Sequence, residues 1–254
     1  MYSNFWVAIY VLASGATSLL VLTIGNRNLD QNSFRQFLFN WNFVNVLMLV
    51  LLSPIEALAP KLLRNVSFAS LNIKILKLWA RSSAIFVALI VTILNFYKFT
   101  DTLLFNFIVI TGYILVLAET YIARSMLVAS GDFKSIAKTA VISAVFSLVL
   151  FFAFEITNSI TIGSMYFCAS AGLISGLAFL HYLNVKIYAP KDLYGSKHVG
   201  MINREVLFRL TQMSFTAFIQ LGLGMTGVTV LAILGRQKMN CSLTQHFLAW
   251  LLFV

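Results

Sequence analysis

Charge is scarce in this chain. Of 254 residues only 10% are Asp, Glu, Lys or Arg, and just 8 are acidic, against about 25% charged residues in a soluble globular domain. At the same time 60% are hydrophobic. A soluble fold is excluded, because surface-to-volume scaling leaves most side chains of a small domain near water. Histidine and cysteine are equally sparse. His181, His198 and His246 are scattered, and Cys168 and Cys241 sit in or beside apolar runs without metal-ligand spacing. No metal, cofactor or catalytic residue is therefore expected; GxSxG and Walker A patterns are also missing. The formal charge of +10 would suit a nucleic-acid partner. Its distribution argues otherwise, since the basic residues fall in the gaps between apolar runs.

Those apolar runs are the chief feature present. A membrane span needs about 20 predominantly apolar residues, and seven stretches qualify: Phe5–Ile24, Phe37–Ala59, Leu78–Tyr97, Leu103–Leu127, Ile136–Ile156, Ile162–Val185 and Val206–Leu234. The first lacks the basic n-region of a signal peptide and reads as a retained helix. Unpaired backbone amides cost several kcal/mol each in hydrocarbon, so these runs must be helices, and the ~10-residue alternation of a β-barrel is missing. The fold class expected is all-α, a polytopic helical bundle of about seven spans.

Orientation follows from the positive-inside preference. Connections two, four and six hold 13 of the 18 Lys and Arg: Lys61, Arg64, Lys74, Lys77, Arg81, Arg124, Lys134, Lys138, Lys186, Lys191, Lys197, Arg204 and Arg209. The remaining 5 are Arg27, Arg35, Lys98, Arg236 and Lys238. The N-terminus is expected in the cytoplasm of a multi-pass protein of the plasma (inner) membrane. The segment Lys61–Arg81 mixes apolar residues and Trp79 with basic ones and is expected along the cytoplasmic interface.

A shift of 210 residues lays Thr17–Leu38 over Gly227–Leu248, matching Gly25 to Gly235, Phe37 to Phe247 and Leu38 to Leu248. The repeat predicts residues 1–200 as a six-helix lobe and 201–254 as the start of a second, a parallel arrangement known among transporters. Phe247–Val254 is too short to span and reads as an eighth helix cut short. Asn65-Val66-Ser67 and Asn240-Cys241-Ser242 match the glycosylation pattern. Gly222, Gly224 and Gly227 suit close helix packing.

Polar residues at membrane depth form three stripes when placed at 100° per residue. They are Asn42, Asn45, Ser53 and Glu56 in span two; Asn106, Tyr113, Thr120 and Arg124 in span four; and Glu205, Arg209, Gln212, Thr216 and Gln220 in span seven. Span one adds Ser14, Thr17 and Ser18. Such groups usually face a bundle interior or a cavity, so one shared hydrophilic cavity between spans one, two, four and seven is expected. The alternative is interhelical hydrogen bonding that holds the bundle together. Arg124 alternatively serves as a positive-inside anchor, Glu56 as a snorkelling interfacial carboxylate, and Glu205 with Arg209 as an i,i+4 pair.

Three segments carry a family resemblance: ASGATSLLVLTIGNRNL in the opening helix, SPIEALAPKLLRN over Ser53–Asn65, and ETYIARSMLVASGDFKSIAKTAV over Glu119–Val141. In them the chain resembles the polysaccharide and oligosaccharide flippases of the multidrug/oligosaccharidyl-lipid/polysaccharide exporter superfamily, over the first half of a typical two-lobe member. The resemblance implies a transporter rather than an enzyme. It would move a glycan on a polyprenyl-pyrophosphate carrier to the outer leaflet by alternating access, alongside glycan polymerase or glycosyltransferase partners in cell-envelope polysaccharide biosynthesis. The cavity should then be cationic to neutralise pyrophosphate, with Arg124 and Arg209 the candidates. Alternatives are a drug/cation antiporter of the same superfamily, using Glu56 and Glu119, a membrane-embedded glycan polymerase or acyltransferase, or an accessory subunit.

Overall fold

The computed structural model describes residues 2–63, 69–96, 103–182 and 204–220. Among them every regular element is a helix: α1 (Tyr2–Asn28), α2 (Gln31–Leu63), α3 (Ala69–Phe96), α4 (Leu103–Ser130), α5 (Phe133–Ile156), α6 (Ile162–Tyr182), and a further helical segment over residues 204–220. The first six are each long and apolar enough to cross a membrane. The protein is a polytopic all-helical bundle. The helices extend the sequence-predicted spans at most ends, because polar flanking residues continue the helix once its apolar centre has nucleated it. The two glycosylation patterns, Cys241, Gly222, Gly224, Gly227 and the second half of the repeat lie outside the described residues.

Short connections carry their own caps. Asp30 precedes α2, and its Oδ2 accepts the amide hydrogens of Asn32 (3.0 Å) and Ser33 (3.1 Å), satisfying donors that have no intrahelical partner. At the α4–α5 turn Gly131 takes φ +75°, a conformation that costs glycine little. Asp132 then caps α5 by accepting from the Ser135 amide at 3.1 Å. Thr161 and Ser164 bond reciprocally at the start of α6, at 2.7 and 3.1 Å, in the manner of a capping box.

α4 is the central helix. It packs against α2, α3 and α6, while α5 and α6 lie together and α1 runs along α5. The main core draws Val44, Met48 and Leu52 from α2, Leu76 and Val87 from α3, Ile114 and Ala118 from α4, and Met165 and Tyr166 from α6. Val206 and Leu210 of the segment 204–220 join it. The outward faces carry Leu, Ile, Val and Phe, as lipid requires.

One expectation is corrected here. The described part of Lys61–Arg81 is no separate interfacial helix: from Ala69 onward it is the first half of α3, with Ile73, Ile75, Leu76 and Ala80 buried. Trp79 faces the bundle as well, donating its Nε1 hydrogen to the Leu51 carbonyl at 2.8 Å. Burial against α2 outweighs the interfacial preference of the lysines, which stay at the periphery through their long stems.

Candidate functional site

A cavity of about 230 Å³ lies inside the bundle, walled by α1, α2, α4, α5 and α6. Each wall is a helical stripe. α1 supplies Tyr10, Ser14, Thr17 and Ser18; α4 supplies Tyr113, Thr120, Tyr121 and Arg124; α5 supplies Thr139, Ser143 and Ser147. α2 contributes only Trp41 and Asn45.

Four of the serine and threonine hydroxyls donate to their own helix. Ser14 Oγ bonds the Tyr10 carbonyl at 2.9 Å, Thr17 Oγ1 that of Ala13 at 2.7 Å, Thr120 Oγ1 that of Val116 at 2.8 Å, and Thr139 Oγ1 that of Ser135 at 2.7 Å. This back-bonding lets hydroxyl residues sit within an apolar helix without an unpaired donor. Asn45 is similarly tied. Its amide nitrogen donates to the Trp41 carbonyl at 2.8 Å, and its oxygen accepts from the Tyr113 hydroxyl at 3.2 Å.

Aromatic rings close one end. Trp41 stacks on Tyr113 with centroids 5.2 Å apart, Tyr166 packs on both at 5.4–5.8 Å, and Phe37 packs on Trp41 and Tyr166 at 5.5 Å. The fully buried Tyr166 hydroxyl has no hydrogen-bond partner among the described residues.

The other end is set by Arg124. Its guanidinium pairs with Glu56 of α2 through Nε and Nη2, and Nη1 donates to the Tyr10 hydroxyl of α1. The Tyr121 ring lies under it at 4.5 Å, a cation–π contact strengthened by desolvation. Both charged side chains are largely shielded, at 22% and 27% exposure. One side chain of α4 thus joins three helices.

The structure therefore brings Asn45, Tyr113, Thr120 and Arg124 to one cavity and sets Glu56 directly behind Arg124. Asn42 and Ser53 are half-buried on α2 and do not line the cavity. Asn106 belongs to α4, but its side chain lies outside the described part. Span seven departs from the expected cavity. Arg209 and Gln212 border a separate shallow hollow with Ala57, Leu58 and Lys61 of α2, while Thr216 and Gln220 are exposed. The physical reason is packing: Val206 and Leu210 turn the apolar face of this segment onto the core, which points its polar stripe outward. Arg209 bonds Glu205 at 2.6 Å, as the i,i+4 alternative predicts. Glu119 faces away from Arg124 and pairs with Arg81 of α3 at 2.7 Å.

Sequence reasoning missed the contribution of α5. The signal was present as Ser135, Thr139, Ser143 and Ser147, four hydroxyls at steps of four, which small side chains made easy to read as packing. It missed Tyr10 and Trp41 because aromatic residues in apolar helices carry no polar signature.

No family model, curated protein or solved structure matches the chain.

Proposed function

We propose that this bundle is the lobe of a membrane transporter that moves a lipid-linked glycan, a sugar chain on a polyprenyl-pyrophosphate, across the bilayer. The observation that carries the reading is the hydroxyl-lined cavity with an arginine at one end. Arg124 lines this cavity besides joining three helices, and ionisable groups at membrane depth are costly and often functional. Arginine suits a phosphate ligand, since its planar fork bonds two oxygens at once and stays charged when desolvated. The resemblance of Ser53–Asn65 and Glu119–Val141 to flippase segments points the same way. The drug/cation antiporter reading calls for an open carboxylate in the cavity, and among the described residues the lining includes none. Glu56 instead occupies the guanidinium that an anionic headgroup would take, so substrate entry on this reading requires the headgroup to exchange with Glu56.

The test is export of glycan-lipid in a strain lacking its own flippase. Arg124→Ala alone would leave Glu56 without its counter-ion, a strongly destabilising change when the site is shielded. The informative variant is therefore R124A/E56Q, which removes both charges. It should fold and fail to export. Arg124→Lys should restore export only in part, because an ammonium cannot reproduce the fork. Full export by R124A/E56Q would remove Arg124 from the transport site.

A further inference from the structure

The ion pair between Arg81 and Glu119 sits in an unusual place. Arg81 lies eight residues past the start of the membrane span Ile73–Leu94, and Glu119 eleven residues before the end of Phe107–Ser130. At 1.5 Å per residue each is at least about 12 Å of helix from the nearer end of its span. The pair nevertheless turns outward, away from the cavity, with the two side chains 57% and 37% exposed. Leu78, Ile85, Leu89 and Ile93 of α3, with Ile108 and Leu115 of α4, are exposed around it, while Lys74 and Lys77 lie two turns and one turn away toward the start of α3. Charged groups at membrane depth almost always face protein or a water-filled cavity, because lipid cannot solvate them.

We propose that this α3–α4 face is the contact between two copies of the chain in the membrane. The charges decide the occupant. A two-fold axis along the membrane normal keeps every residue at its own depth. Arg81 and Glu119 share one depth, since they bond at 2.7 Å. The axis therefore sets Arg81 opposite Glu119 of the second copy and the reverse, an isologous contact in which one patch is its own complement. Two dipolar pairs become a closed square of four alternating charges, with the aliphatic residues packing around it. A partner of any other kind would need to supply a matching acid and base at this depth, whereas a second copy already has them. This inference stands independently of the transport reading.

The test is the number of copies per particle after reconstitution at low protein-to-lipid ratio, read by two-colour single-molecule photobleaching. The unmodified chain should appear as pairs. Arg81→Glu places two acids on each copy and Glu119→Arg two bases. Each alone should raise the dimer dissociation constant by about tenfold or more, as like charges facing across an interface do. Mixing the two variants should restore pairs, and these should carry both colours. A role confined to stabilising one copy would gain nothing from mixing. Ile85→Cys provides a second measurement that leaves both charges in place, with oxidation expected to give a covalent dimer beyond that of the unmodified chain. Single copies of the unmodified chain, failure of the mixed variants to pair, or no crosslink at Ile85→Cys would each overturn the proposal.

Discussion

Gly172 shows how little room separates α5 from α6. A Cβ built there would meet the Ser147 hydroxyl and stand 2.6 Å from the Ser143 carbonyl oxygen. Backbone cannot yield as a flexible side chain can, so Gly172→Ala must push the helices apart. The expected loss is about 1–3 kcal/mol, the range for overpacking a close contact, read as a lowered midpoint in detergent unfolding. Gly15 is the control: a Cβ at Gly15 meets nothing within 4 Å, and Gly15→Ala should be neutral or stabilise by up to about 1 kcal/mol from helix propensity. Single residues were legible in the sequence where polarity made them conspicuous. The span-four stripe of Tyr113, Thr120 and Arg124 meets one cavity wall. The partner of Arg124 was not legible. Glu56 is 68 residues away, and which helices approach one another is fixed by side-chain shape over the whole core rather than by any local pattern.

Among elements, the start of α2 rests on one carboxylate. The Ser33 hydroxyl and amide hold the Asp30 carboxyl below its usual pKa. A depressed carboxylate contributes stability above its ordinary titration range, and that contribution disappears as pH falls through the lowered value. Asp30→Ala should therefore raise amide hydrogen exchange at Asn32 and Ser33 at neutral pH, after correction for intrinsic rates. Acidification should fray the same turn in the unmodified chain and add nothing in the variant. Apolar length alone gave the existence and type of each described helix, since lipid permits no other structure for such runs. The start of α3 was harder to read. Lys74, Lys77 and Arg81 look like a loop or an interfacial strip in sequence, yet Ile73, Leu76 and Ala80 between them face the core.

At the scale of the whole molecule, the distribution of Lys and Arg still sets the expected orientation, although α3 takes Lys74, Lys77 and Arg81 out of the connection. Lys61 and the basic residues flanking the Gly131–Asp132 turn remain on one side. A reporter inserted at that turn should be cytoplasmic. One inserted at Leu29–Asp30 or at Asn158–Ser159 should be on the opposite side. The reverse pattern at all of these sites would invert the assignment without changing the bundle. The two-lobe division and the role of span seven were not settled by its polar stripe, because polarity marks a face and not its neighbour. The back-bonded hydroxyls have a further consequence for whatever enters the cavity. Their hydrogens already point into the helices, so these groups turn lone pairs toward the cavity. At Ser14, Thr17, Thr120 and Thr139 a guest therefore meets groups that accept and do not donate. A molecule rich in hydroxyl or amide hydrogens meets those groups with its own protons. One that carries only acceptor oxygens finds no match at these four groups and must turn to Arg124 or to the remaining hydroxyls of the lining, such as Ser18 and Ser143.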